Sequence, residues 1–229
     1  VQPQREGKAS AMNLFIREAQ EEVLILCSAD LQPSLDAVEA LIAPFADPEV
    51  AMTGCHPVPV NDADSFMGFA VHLQWELHHA LNVAGGFKGG EMVGFRRVFE
   101  RIPYHTAVDE ASVEPIVRGQ GYKVRYCPQA IVYNKGPENV ADFLRQRRRI
   151  YAGHLDLEQL LGYKVSTMSG SVIIGLLLKN MDWRPKQLLW TLGVVGLEVY
   201  GRYLGWRDYK NKHDHSVWEI ATTTKELTK

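Results

Sequence analysis

A chain of 229 residues with 46% apolar content can bury one sizeable core plus an appendage. Its net charge of -2 removes the electrostatic case for a nucleic-acid partner. Three cysteines, Cys27, Cys55 and Cys127, each in an apolar run and with no CxxC pairing, read as buried reduced thiols, which points to the reducing, cytosolic side of a membrane.

The first eight residues have no apolar core and are not a signal peptide. A helix is predicted from Lys8 to Gln20, with Ala9, Met12, Phe15, Ile16 and Ala19 turned inward. Val23 to Cys27 is an unbroken apolar run, the pattern of a central strand covered on both faces. It ends in Ser28-Ala29-Asp30. Pro33 then starts a helix with Leu35, Val38, Leu41, Ile42 and Phe45 facing inward, and Val50 to Gly54 is the next strand. This rhythm predicts an α/β fold with a doubly wound, Rossmann-like sheet covered by helices, in which ligands gather at the carboxyl ends of strands. Asp30 stands at such an end, as a ligand or as the cap of the following helix.

Between Asp62 and Val83, Phe66, Phe69, Ala70, Leu73, Leu77 and Leu81 recur at helical spacing, with Trp75, His78 and His79 on the flank. A histidine pair without a third ligand reads as surface or core, so no zinc or iron site is expected. Gly85, Gly86, Gly89 and Gly90 make a loop before a strand at Met92 to Phe95; no Gly-Lys-Ser/Thr follows, so it is a plain turn or a ligand-facing wall, not a Walker loop.

Asp109-Glu110 opens a helix, where two carboxylates match the macrodipole and equally suit acid–base work. A Gly-bounded strand pair follows, and Pro137 leads a second helix patterned by Val140, Phe143, Leu144, Ile150 and Tyr151. On it, Phe143, Gln146 and Ile150 share a face with Arg149 beside them. Arg145, Arg148 and Arg149 form a basic stripe. Arg147 lies on the apolar border and needs a partner if buried. Guanidinium forks suit phosphate oxygens, and a plain solvated basic face has the same pattern.

Composition changes after Gly162, dividing the chain into 1–161 and a helical appendage at 162–229. Val172 to Leu178 and Gln187 to Trp206 are apolar, the second run carrying Glu198 and Arg202 one turn apart. Flanking Lys179, Arg184, Lys186, Arg207 and Lys210, with Trp183, Trp190 and Trp206, favour an in-plane segment on a membrane surface. A buried hairpin or oligomer interface and a true span stay open. The tail after His213 is polar.

Four stretches resemble, in order, the motifs of family 2 glycosyltransferases of the cellulose- and hyaluronan-synthase type: REGKASAMN at 5–13, GGEMVGFRR at 89–97, VDEASVEPIVRGQGYKVRYCPQAIVY at 108–133, and QRRRI at 146–150, similar to Gln-x-x-Arg-Trp with Ile150 for Trp. The resemblance implies a GT-A-type fold and an inverting glycosyltransferase that takes a sugar from a UDP- or GDP-sugar to a hydroxyl, carbohydrate or lipid-linked, in polysaccharide or glycolipid synthesis. It implies Glu110 or Asp109 as the base; the family spacing to Gly121 falls on Glu110. It places the donor diphosphate on Asp30, Gln146, Arg149 and Lys8, and the acceptor wall at Gly89, Gly90, Glu91 and Arg96. It also implies Mg²⁺ or Mn²⁺ at Asp30, where Ser28 replaces the first aspartate of Asp-x-Asp, and monotopic or peripheral attachment to the cytoplasmic face of a membrane. The family's first strands, which hold the donor base and ribose, precede Val1. Either the sequence is part of a longer protein that supplies them, or the chain lacks half its donor pocket, and the competing expectation is then a non-catalytic binding or partner subunit that keeps the fold, with a homo-oligomer or a partner subunit as the expected assembly. A nucleotidyltransferase on a related sheet lacks its Gly-rich Arg/Lys loop.

Overall fold

The computed structural model describes residues 6–104 and 106–213; Arg5, which opens the first motif, and the tail after His213 lie outside them. Helix α1 (Lys8–Glu18) buries Ala9, Met12, Asn13 and Ile16 against the sheet. Phe15 turns outward instead, and Asn13 takes an inward place because its amide pairs with the backbone of Ile102 in both directions, at 3.0 and 2.8 Å. That double bond satisfies a loop peptide inside the core.

Strand β1 (Val23–Cys27) is followed by the short β2 (Gln32–Pro33), helix α2 (Ala37–Ile42), a 3₁₀ turn at Ala43–Ala46 and strand β3 (Val50–Pro59). Helix α3 (Phe66–Val83), β4 (Met92–Arg96), α4 (Asp109–Gly119) and β5 (Lys123–Asn134) complete the sheet region. The strand order is β1-β4-β3-β5-β2, with β3 parallel to β5 and the remaining pairs antiparallel. The sheet is thus mixed rather than doubly wound, and β1 is an edge strand among the described residues. An apolar run records burial but not which strand pairs with it. Pro33, expected to start a helix, lies in β2, where its missing N–H is tolerated at a sheet edge. Helix α2 accordingly begins later: Leu41 and Phe45 face in, whereas Leu35, Val38 and Ile42 face out. The expected strand pair is one bent strand, β5, whose irregular register against β3 lies between Gly54 and His56.

Two cores result. Met12, Ile16, Met52, Val93, Phe95 and Val113 fill the space between the sheet, α1 and α4. Met67, Ala70, Phe143 and Val194 join α3 to α5 (Val140–Leu161) and α7 (Pro185–Lys210). Helix α5 starts at Asn139, whose side chain accepts the Asp142 N–H, two residues beyond Pro137, and stops at Gly162 in the left-handed conformation. Ser65 caps α3 in the same way as Asn139 caps α5.

Helix α7 lies along α5. Phe66 and Phe69 meet Trp190 edge to face, and Arg148 grips the buried Asp208 with two N–H donors, one at 2.5 Å. Close approach is possible because a Cβ on Gly205 would stand 2.5 Å from the Arg148 carbonyl oxygen. Helix α6 (Gly170–Lys179) buries no residue, and among the described residues no helix is long and apolar enough to cross a membrane. Gly205→Leu is expected to push α7 off α5, lowering stability by about 3 kcal/mol and the melting temperature by roughly 6–12 °C, whereas Gly175→Leu, with open space at its Cβ, leaves it unchanged; calorimetry distinguishes these outcomes.

Candidate functional site

Antiparallel pairing sets the first part of the site. Cys27 at the end of β1 lies opposite Met92 at the start of β4, so Ser28-Ala29-Asp30 and Gly89-Gly90-Glu91 leave the sheet side by side. The glycines are packing requirements: a Cβ on Gly54 would sit 2.5 Å from the Gly89 carbonyl oxygen, and Gly90 adopts φ +85° over Cys55. The loop is thereby pressed onto β3, and Glu91 faces the cleft. Its carboxyl is pushed up by burial and by the charges of Glu110 and Asp30, against the pull of Lys8.

Helices α1 and α4 bring the second part. Lys8, at the first turn of α1, donates to Glu110 in a short ion pair and to the Ser28 hydroxyl at 3.4 Å. Burial works to lower the Lys8 ammonium, but Glu110, Asp109 and Glu91 together hold it above its ordinary range. Asp109 is fully buried at the start of α4, and among the described residues its oxygens have no partner beyond the weak pull of its own backbone N–H. Burial, then the adjacent Glu110 charge, raises its pKa to about 7, with Lys8 and Arg149 opposing.

Helix α5 closes the cleft from the other side. Arg149 feels the carboxylates of Glu91, Glu110 and Asp109, and burial still brings its guanidinium down to about 10. Gln146 is half-buried one turn earlier. Asp30, Glu91, Asp109 and Glu110 therefore gather with Lys8 and Arg149, and Lys88 also acts on Glu91, leaving one negative charge uncompensated when all are ionised. Among the described residues no group of three His, Cys, Asp or Glu side chains forms a metal cage. The uncompensated charge at Asp30 and Glu91 nevertheless fits a divalent cation held partly by substrate phosphates, which needs only one or two carboxylates.

Arg96 is not part of this assembly. It sits at the other end of β4, donates to the carbonyl oxygens of Val50 at 2.9 Å and Phe45 at 2.5 Å, pairs with Glu22 and lies over the Phe45 ring. Four residues of strand, Met92 to Phe95, separate it from Glu91, so its expected place on the acceptor wall gives way to a role in packing. Arg148, read as part of a basic stripe, belongs to Asp208. Cys27 is exposed rather than buried, at the end of β1, while Cys55 and Cys127 are buried. His79 stacks on His56 with ring centroids 4.3 Å apart and bonds the Tyr126 hydroxyl at 2.8 Å.

Several charged residues of the cleft carry no motif. Lys88, Glu198, Arg202 and His154 come together only because α7 lies on α5, and the one sequence signal among them is the i,i+4 spacing of Glu198 and Arg202, which pair at 2.8 Å. Arg147 finds the partner its position demanded, Glu198 at 3.8 Å.

Comparison with known proteins places this geometry in context. Residues 1–106 match the family described as Glycosyl transferase family 2. Among solved structures, a mannosyltransferase from Pyrobaculum calidifontis, in complex with GDP-Man and Mn²⁺, superposes with a TM-score of 0.58 at 16% identity, covering 93% of this chain and 69% of that one. The two share an α/β fold with a mixed sheet covered by helices. No curated protein sequence matches the chain.

The raised Asp109 carboxyl has a consequence for stability. Its folded pKa of about 7 exceeds the unfolded value near 4, so the fold favours the protonated form, and stability falls as pH rises from about 4 to 7. Asp109→Asn is expected to melt higher than the wild type at pH 8, by up to about 4 kcal/mol, and to lose that advantage at pH 4. An equal offset at both pH values in thermal denaturation contradicts this.

Proposed function

We propose that the chain is a glycosyltransferase that moves a sugar from a nucleotide-sugar to a hydroxyl acceptor, with inversion at the anomeric carbon. The observation that carries this reading is the meeting of Asp30, Glu91, Asp109, Glu110, Lys8 and Arg149 in one cleft, although they come from five separate parts of the chain. The family match over residues 1–106 supports it, and the GDP-Man complex of the mannosyltransferase makes a guanosine diphosphate sugar the first donor to try, with UDP-sugars second.

Each residue has a task set by its surroundings. Arg149 and Lys8 face the place where negative charge grows as the nucleoside diphosphate leaves; Gln146 adds an uncharged donor one turn away. Glu110 keeps more access to the cleft than Asp109 and takes the proton of the acceptor hydroxyl once Lys8 turns to the phosphates. In that step the hydroxyl oxygen bonds to the anomeric carbon, the bond from that carbon to the diphosphate oxygen breaks, and the proton ends on the carboxylate. Asp109, ionising near pH 7 behind Glu110, adds a second negative charge next to the base. Asp30, with Glu91 beside it, would hold a Mg²⁺ or Mn²⁺ ion, whose chemistry is to neutralise the leaving diphosphate.

The appendage suits a membrane surface. Ile174, Leu178, Trp183, Leu189 and Leu192 are exposed on α6 and α7 and at their junction, close in sequence to Lys179, Arg184 and Lys186, which makes attachment monotopic or peripheral. A second reading, a non-catalytic subunit, draws on Ser28 in place of an aspartate and on the ion pair that occupies Glu110.

Nucleotide release from GDP-mannose or a UDP-sugar with Mn²⁺ and acceptor separates the two readings. Glu110→Gln is expected to lower turnover by about 10²–10⁴-fold and Arg149→Ala by about 10²–10³-fold. Turnover that survives both substitutions refutes the enzymatic assignment. The rate should climb with pH through about 7, and Asp109→Asn should flatten that limb. Co-flotation with anionic vesicles should fall several-fold in Ile174→Glu/Leu178→Glu; unchanged flotation removes the membrane assignment.

A further inference from the structure

Beside the carboxylate-rich part of the cleft lies a part with the opposite balance. Lys88 leaves the glycine loop and meets the fields of Arg147 on α5 and Arg202 on α7. The carboxylate among these three is Glu198, which accepts from Arg202 at 2.8 Å and lies 3.8 Å from Arg147. Three cations against Glu198 and, at Lys88, Glu91 leave one positive charge in excess, next to a region with one negative charge in excess. Glu91 lies beside Lys88 and Arg149 beside Arg147, so the two regions are continuous.

Cations gathered in this way are costly without an anion. Lys88 is partly buried; burial, followed by the Arg147 charge, brings its ammonium down to about 8. His154, 5% exposed on α5, faces the same three cations, and neither of its ring nitrogens has a hydrogen-bond partner. The Nε of Arg147 is likewise buried and unpartnered. The arrangement therefore holds buried nitrogens without a partner among the described residues, on α5 where α7 packs, and α7 also carries exposed apolar residues.

We infer that Lys88, Arg147, Arg202 and His154 form a phosphate-binding subsite that anchors an acceptor bearing a phosphate monoester, while a hydroxyl of the same acceptor reaches Glu110. The inference rests on the glycosyl-transfer reading and adds the acceptor's chemical class to it. A monoester near pH 7 carries close to two negative charges and gives the three cations a shared partner. Guanidinium groups are suited to its oxygens, and the imidazole can donate or accept as the ester demands. The phosphate can come from a lipid or from a soluble sugar phosphate; the apolar face of α6 and α7 favours the lipid.

Calorimetric titration of the full chain tests the subsite with octyl phosphate against octanol, and glucose 1-phosphate against glucose. Both phosphates are expected to bind at least tenfold more tightly than their neutral counterparts. Lys88→Met and Arg147→Gln should each weaken phosphate binding tenfold or more, Arg147→Lys should retain most of it, and melting temperatures should confirm that all three variants fold. Binding of GDP and UDP with Mn²⁺ should change by less than about twofold. Tighter binding of octyl phosphate identifies a lipid source, and tighter binding of glucose 1-phosphate a soluble one. Equal binding of phosphates and neutral counterparts overturns the subsite, as does loss of nucleotide binding in step with phosphate, which assigns the cations to the donor. A wild-type chain that binds phosphates but neither nucleotide leaves the subsite standing and removes the glycosyl-transfer reading instead.

Discussion

The structure depends on balancing charge inside a cleft that is mostly shut off from water. Helix α5 presents Arg147, Arg148 and Arg149 in succession, and each is answered by a different partner: Glu198, Asp208, and the carboxylates around Glu91. Successive residues on a helix point about 100° apart, so one short arginine run can address three directions at once. One direction anchors α7, the next looks toward the excess positive charge at Lys88, and the third toward the acidic residues of β1, β4 and α4. Desolvated guanidinium groups without these partners would oppose folding, which is why the position of α7 and the electrostatics of the cleft are one problem.

The sheet supplies the complementary half. Pairing β4 antiparallel to β1 returns the chain to the end of β1, so that a glycine-rich loop and a strand terminus deliver Glu91 and Asp30 to one place. Glycine is needed where the loop crosses β3 at 2.5 Å from a Gly54 Cβ position, since a side chain there would lift Glu91 away from the cleft. Asp109 shows the cost of the arrangement: a buried carboxyl with no partner among the described residues beyond its own backbone N–H destabilises the fold near neutral pH, as expected where local stability yields to reactivity.

Much of this was legible in the residues. Helical periodicity located α1, α3 and α5 to within a few residues, apolar runs marked the positions of α6 and α7, and the order of motifs singled out Asp30, Glu91, Asp109, Glu110 and Arg149 as candidates. Border placement on α5 also marked Arg147 as a residue in need of a partner, and the structure supplies Glu198. Errors fell where local pattern is mute. Arg96 closes the Phe-Arg-Arg motif yet turns to the backbone of Val50 and Phe45, because successive residues of a strand point to opposite faces and four intervening residues carry it away from Glu91. Pro33 could open a helix or end an edge strand, and only the neighbouring β5 decided between them.

The amino-acid sequence by itself determined the long amphipathic helices and the identities of the acidic and basic groups in the motifs, since these follow from periodicity and side-chain chemistry read over a few turns. The tertiary structure alone decided the mixed strand order and the edge position of β1. It alone also brought together Lys88, His154, Glu198 and Arg202. Those residues lie on three segments with no shared period, and their chemistry arises only when burial and mutual fields act on them in one space.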